Sequence, residues 1–300
     1  MTLGLLQKIN FGNYNMTEYL SYIFDDSEEF IETFDELPLW SASFGLLLLK
    51  HLELKPNLHI IDIGSGAGFP LTELAGRFGN SCKLYGIDPW VNANKRARQK
   101  IKNYSLSNVE IIESSAEQIP FNNNTIDLII SNLGINNFDN PQVVFKECHR
   151  VLKTKGKLVL TSNLNGHWNE FYNIFYSTLK QLNKENLISP LKQDEEHRGT
   201  IESISNLFNL NGFNVCRHFE ESFEMKFLDG TAFLNHNFVK LGWLTSWKKL
   251  FPKEELKMIF TSLEQNLNDY AKKNNGLALT VPMTFFEGEK TKDDIPIFNK

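Results

Sequence analysis

The sequence predicts an α/β fold, a doubly wound and mostly parallel sheet, from three observations. Strand-like and helical segments alternate between residues 58 and 163, with a strand every 20–30 residues or so, the spacing of β-α-β units with right-handed crossovers. The first strand, Leu58-His-Ile-Ile-Asp-Ile-Gly64, is a short β-branched run with glycine at its end, as buried parallel strands read. Finally, 300 residues of which 41% are hydrophobic can bury a sizeable core.

The elements follow in order. Residues 16–38 read as an acidic helix ending at Pro38, and a second helix starts at Ser41, an N-cap, and is stopped by Pro56. After the first strand come a helix over Leu-Thr-Glu-Leu-Ala-Gly-Arg-Phe-Gly (71–79), a strand over 83–88 and a helix over 91–106. Strands over 108–114 and 125–132, a helix over 141–153 and a strand over 157–163 complete the alternation. Beyond Asn163 the pattern loosens. Residues 167–182 are aromatic and helical, 183–199 polar, and 203–213 a helix closed by Gly212. Two strands, 213–222 and 277–288, enclose a largely helical stretch too long for a simple connection, which reads as an insertion over a binding site.

Composition excludes several classes. The formal net charge of −5 argues against a face built to grip nucleic-acid phosphates. Cys82, Cys148 and Cys216 lie far apart, which excludes a disulfide framework or a zinc cluster and suits a reducing compartment. The first residues lack a basic start leading into an apolar stretch, so no signal peptide is expected, and the longest apolar run near residue 45, Gly-Leu-Leu-Leu-Leu, is too short for a membrane span. A cytoplasmic protein is expected. Its 24 Phe, 8 Tyr and 5 Trp fall mostly outside the central region.

The most informative string is Ile60-Ile-Asp62-Ile-Gly64-Ser65-Gly66-Ala-Gly68-Phe-Pro70. Glycines at alternate positions let a chain leaving a strand turn sharply and let a ligand approach its backbone, while the following helix points N–H groups at that ligand. Asp88 closes the next strand 20 residues after Gly68, where a carboxylate can accept both hydroxyls of a ribose. A dinucleotide loop and a methyl-donor loop both fit these features. Asp62 separates them: a carboxylate before the glycines repels a pyrophosphate but suits the ammonium of a methionine moiety. The spacing is also G-x-G-x-G, not the G-x-G-x-x-G of dinucleotide sites.

These residues resemble the class I S-adenosylmethionine-dependent methyltransferases, in particular the small-molecule branch that includes the ubiquinone/menaquinone C-methyltransferases. The resemblance covers residues 55–163, and its motifs come in the right order. Asp62 to Gly68 is similar to the first motif, and Asp88, followed by Pro89 and Trp90, to the ribose-binding acid. Ser114-Ser115-Ala116-Glu117-Gln-Ile-Pro-Phe121 is similar to the segment whose first residues contact the adenine. Asp127 to Leu133 resembles the fourth strand, with Asn132 and Leu133 at the edge of the donor pocket. Glu147-Cys-His-Arg150-Val-Leu152 to Gly156 resembles the turn into the fifth strand. The resemblance implies S-adenosyl-L-methionine as cofactor and a seven-stranded sheet whose last strand is antiparallel. Two departures stand out: Ser115 replaces a common Asp, and Asn136 and Asn137 replace a histidine that would be a candidate base.

On this reading the cofactor-binding residues are Trp40, Asp62, Gly64, Ser65, Gly66, Gly68, Asp88, Pro89, Ser115, Ala116, Asn132 and Leu133. The Ser115–Ala116 segment is expected to open to the surface, so that Ala116→Trp would block the donor without unfolding the sheet. Residues 1–45 form a helical cap and 46–300 the donor-binding domain, with insertions 164–199 and 221–276 making an apolar lid over a small-molecule acceptor. Trp40 closes over the donor or staples two helices. The catalytic group is open. His167, just past the fifth strand at the edge where ligands bind, is a candidate base, the alternative being an exposed loop histidine. His149 reads as structural, His236 as lid packing, and His51 and His59 carry no role. Trp168, Tyr172, Phe175 and Tyr176 form a core-facing stripe. Lys95, Arg96, Arg98, Lys100 and Lys102 read as a solvated helix face. No metal-ligand spacing occurs. The rival readings are an RNA methyltransferase, whose base-amino type carries Asn/Asp-Pro-Pro-aromatic where this chain has Ser131-Asn-Leu-Gly134, a non-catalytic donor-binding regulator and, last, a nicotinamide oxidoreductase.

Overall fold

The computed structural model describes residues 17–24, 27–35, 39–196 and 198–291. The amino-terminal start and Pro38 lie outside them. The chain divides into two units, one holding the sheet and one made of residues 1–24, 171–191 and 226–278.

The sheet unit contains the expected alternation. Strands β1 (His59–Ile63), β2 (Lys83–Asp88), β3 (Val109–Glu113), β4 (Ile126–Asn132), β5 (Leu152–Asn163), β6 (Phe213–Phe227) and β7 (Leu277–Lys290) form one seven-stranded sheet in the order β3-β2-β1-β4-β5-β7-β6. β1 to β5 pair in parallel, and β7 lies antiparallel on β5 with Thr161 opposite Phe285. The order reverses between β1 and β4, and in open α/β sheets ligands bind at such a switch, outside the carboxyl ends of the strands.

The helices explain themselves from local chemistry. The acidic segment is broken: a 3-10 turn covers Glu18–Ser21, and helix α1 begins only at Glu28, where Ser27 Oγ accepts the Phe30 N–H at 3.1 Å. Helix α2 (Leu39–His51) starts two residues before the expected cap. Helices α3 (Leu71–Phe78), α4 (Val91–Asn103) and α5 (Pro141–Val151) fill the crossovers, the last capped by Asn140 Oδ1 on Val143 N at 3.3 Å. α6 (Asn169–Gln181), α7 (Ile188–Glu196) and α8 (Ile201–Leu210) follow β5, and Thr200 and Ser203 form a reciprocal capping box on α8. Ile61, Ile63, Ile129, Leu158, Leu160 and Phe286 share a buried cluster with Val144, Phe145 and Cys148 of α5 and Ile204 and Phe208 of α8.

The basic face of α4 is not simply solvated. Lys95 pairs with Glu28 at 2.7 Å, Arg96 with Glu32 at 3.7 Å and with Asp35 at 2.9 Å, and Lys100 also pairs with Asp35. The reason is charge complementarity with the acidic α1, which a reading of either helix alone does not contain.

In the other unit, α9 (Gly230–Asn235), α10 (Asn237–Val239), a π-helical turn over Lys240–Leu244 and α11 (Thr245–Lys249) precede the long α12 (Leu256–Asn274). A Cβ on Gly230 would stand 2.3 Å from Leu267 Cβ, so only glycine lets α9 approach α12 this closely. Phe171 stacks on Trp247 with ring centroids 4.6 Å apart, and Phe175 meets Phe260 edge-on at 5.9 Å. Tyr172 and Phe175 are fully buried, the core-facing role their spacing predicts. Among the described residues no helix is long and apolar enough to cross a membrane.

Candidate functional site

The loop after β1 needs its glycines for conformation. Gly64, Gly66 and Gly68 have φ of +72°, +49° and +93°, values that side chains with a Cβ rarely adopt. Gly64 N donates to Ile87 O at 2.8 Å and Gly68 N to Ser65 O at 2.9 Å, which bends the chain back beneath the end of β2. A Cβ on Gly68 would lie 3.1 Å from Ala97 Cβ, so this glycine sets the approach of α4; a Cβ on Gly66 would meet nothing within 4 Å. The loop is therefore packed on one side and open on the other.

Two carboxylates flank it with different partners. Asp88 Oδ2 accepts the Gly66 N–H at 2.9 Å and Oδ1 the Trp90 N–H at 2.8 Å. Each oxygen keeps capacity for a further donor, as a pair of ribose hydroxyls requires. Burial raises the Asp88 pKa, and the two N–H groups oppose that rise. Asp62 is 1% exposed, and neither of its oxygens has a hydrogen-bond partner. Burial first, then the charge of Asp88, pushes its carboxyl well above the usual carboxylate range. Ser65 Oγ is likewise buried without a partner. Orphaned buried acceptors beside an open glycine loop fit an ammonium-bearing nucleoside ligand, so the residues present suit the expected donor.

The next strands complete the floor. Asn132 Nδ2 donates to Ser41 O at 3.1 Å and its Oδ1 accepts from Thr161 Oγ1 at 2.7 Å, which ties α2 and β5 to the end of β4. Leu133 takes φ +68°, and its N–H donates to Thr161 O at 3.0 Å. Pro89 and Ser115 are exposed, and Ser115 Oγ accepts the Glu117 N–H at 3.2 Å. Ala116 is a correction: it is 6% exposed and packs in the core cluster with Ile119, because this segment turns inward over α5. A tryptophan there would disturb the core as well as any ligand. Arg150 holds the same segment, donating to Phe121 O at 2.7 Å and Ile119 O at 2.8 Å while forking onto Glu147.

Sequence reasoning missed three glycines. A Cβ on Gly134 would lie 2.4 Å from Ser131 Oγ and 3.0 Å from Ile63 O; on Gly86, 2.5 Å from Leu71; on Gly45, 2.4 Å from the Phe69 ring. For Gly86 and Gly45 the available signal was glycine inside a strand or helix, which marks a close backbone approach.

Trp40 and His167 come together. Their rings are 5.0 Å apart, and Trp40 also meets Phe44 at 5.0 Å and Phe223 at 6.2 Å. His167 is not an exposed loop residue: it is fully buried and stacks on Trp168 at 4.4 Å. Asn136 Nδ2 donates to Asn163 Oδ1 at 2.7 Å, and its Oδ1 accepts from Ser162 Oγ at 2.8 Å, an amide network without an ionisable group. His149 packs against Phe213, away from these groups, and His51 stacks on Phe219. Among the described residues no cluster could hold a metal ion.

Comparison with known proteins agrees with this geometry. Residues 61–160 match the model of a methyltransferase domain. Over 111 residues the chain is 31% identical to a demethylmenaquinone methyltransferase of Bacillus mycoides and 32% to one of Geobacillus, in each case 37% of this chain and 47% of the relative. The chain thus spans about half the length of the curated relatives it matches. A putative methyltransferase from Bacillus halodurans superimposes with a TM-score of 0.55 at 20% identity, covering 83% of this chain and 100% of that one. A SAM-dependent methyltransferase from Aquifex aeolicus gives 0.50 at 22% identity, covering 65% and 92%. Both share the fold.

Proposed function

We propose, for a chain whose residues 61–160 form a methyltransferase domain of the class I S-adenosylmethionine-dependent kind, that the whole protein methylates a small apolar or aromatic acceptor. The observation that supports the methyl donor in this reading is the buried, unpartnered carboxyl of Asp62 beside a glycine loop open at Gly66. A pyrophosphate would leave that carboxyl without a counter-charge, whereas an ammonium would supply one and favour its ionised form. Asp88 would hold the ribose with the lone pairs left by Gly66 and Trp90, and the chain around Ser115 and Ala116 would border the adenine. Bound S-adenosylmethionine supplies an electrophilic methyl on a sulfonium sulfur, displaced in line by the acceptor.

The residues of this chain then have to align the acceptor and exclude water. Trp40, Phe44 and Phe223 supply an aromatic wall in the sheet unit, with Trp40 and Phe223 only partly buried. The relatives named for demethylmenaquinone make a naphthoquinol the first acceptor to try. For an acceptor that must lose a proton, His167 beside Trp40 is the ionisable side chain of this cluster. The test has two stages. Calorimetry with S-adenosylhomocysteine and with NAD should show binding of the first only. Labelled S-adenosylmethionine is then incubated with a naphthoquinol, simple phenols and an RNA transcript; label transferred to RNA alone would overturn the small-molecule reading.

A further inference from the structure

Arg198 follows the end of α7, and its side chain is buried, with 6% of the residue exposed. Nη1 donates to Asp194 O at 3.2 Å and Glu195 O at 3.0 Å, carbonyls of the last helical turn, where a cation is favourable. That accounts for one of three nitrogens. Nε is buried and makes no hydrogen bond, Nη2 makes none, and no carboxylate of the described residues lies within ion-pair distance. A buried guanidinium without a counter-charge is costly, and a helix cap needs only the edge already used. The unused Nε–H and Nη2–H point the same way along one edge of the plane, spaced to meet both oxygens of a carboxylate.

The backbone next to Arg198 meets the chain leaving the carboxyl end of β5. Gly199 O accepts the Asn165 N–H at 3.0 Å, two residues beyond the end of β5 and two before His167. We propose that the free edge of Arg198 binds a carboxylate, and that this carboxylate belongs to the methyl acceptor; the second half rests on the methyltransferase reading. An aromatic acid carries both the carboxylate such a guanidinium takes and a ring suited to an apolar acceptor site.

The test uses the full chain saturated with S-adenosylhomocysteine, titrated with benzoate, 2-naphthoate and indole-3-acetate, with their amides, and with phenyl phosphate. At least one carboxylate should bind saturably and its amide at least about tenfold more weakly. Arg198→Lys, which keeps the charge but loses the fork, and Arg198→Gln, which can still donate to the α7 carbonyls, should each weaken the carboxylate about tenfold or more. S-adenosylhomocysteine affinity should stay within about twofold in both, which also reports an intact fold. Equal carboxylate binding by parent and Arg198→Gln, binding of phenyl phosphate alone, or no saturable carboxylate would overturn the proposal. The titrations are repeated without S-adenosylhomocysteine. A parent that fails to bind S-adenosylhomocysteine would defeat the methyltransferase reading, and the carboxylate half would still be decided.

Discussion

The charge on Asp88 raises the proton affinity of Asp62, although only Asp88 is hydrogen-bonded. Asp88 gives one lone pair of each oxygen to the backbone of Gly66 and Trp90, so it shapes the loop and, on the proposed function, would also hold the ligand. Asp62 makes no such bond, and its burial is left uncompensated by the protein itself. The pair therefore sets a residue bonded into the loop against one whose burial the described residues leave uncompensated.

Asp62→Asn should stabilise the ligand-free protein at neutral pH and weaken S-adenosylhomocysteine. A carboxyl with a pKa higher folded than unfolded contributes stability fully below the unfolded value, about 3.9, and loses it as pH rises through the folded value. The parent should thus lose stability relative to Asp62→Asn on going from pH 4 to pH 8. Denaturant unfolding across that range checks it, and parallel curves for the two proteins would contradict the prediction.

Asp88→Ala should reduce S-adenosylhomocysteine affinity by about ten- to a hundredfold, the loss expected for charge-assisted hydrogen bonds of about 1.5–3 kcal/mol. Calorimetry reads this directly. Unchanged affinity with an intact fold would show that the ribose is held elsewhere.

Gly134→Ala and Gly76→Ala should act in opposite directions. The new methyl at 134 would press on Ser131 Oγ and Ile63 O and displace the glycine loop, so donor affinity should fall about tenfold or more. Gly76 lies in α3 with nothing within 4 Å of a Cβ, so alanine there should stabilise by about 0.5–1 kcal/mol through lower backbone entropy, with binding unchanged. Thermal melts and calorimetry on both variants separate the two effects.

Arg150→Met should cost on the order of 2–3 kcal/mol, because it leaves the carbonyls of Ile119 and Phe121 and the Glu147 carboxylate without their shared partner. Its folded form should bind S-adenosylhomocysteine only slightly less well, since Arg150 acts on the 115–121 segment from behind. A melt shifted by less than about 2 °C would refute the stapling role.

The β-α-β alternation, the glycine loop and Asp88 were legible in the sequence because each is a local property: β-branched runs, glycine spacing and the residue that ends a strand describe backbone conformation within a few positions. Even the antiparallel last strand followed, through resemblance to a family. The sequence by itself did not determine that α1 locks onto the basic face of α4 through Glu28, Glu32 and Asp35, nor that Ala116 turns into the core while Ser115 stays out. It also hid the approach of Gly134 to Ile63, the burial of His167 against Trp40, and the unpaired edge of Arg198. These are distances between residues far apart in the chain, or the absence of a partner that tertiary packing could have supplied. Neither leaves a period or a spacing to read, so only the packed structure decides which buried groups remain for a ligand.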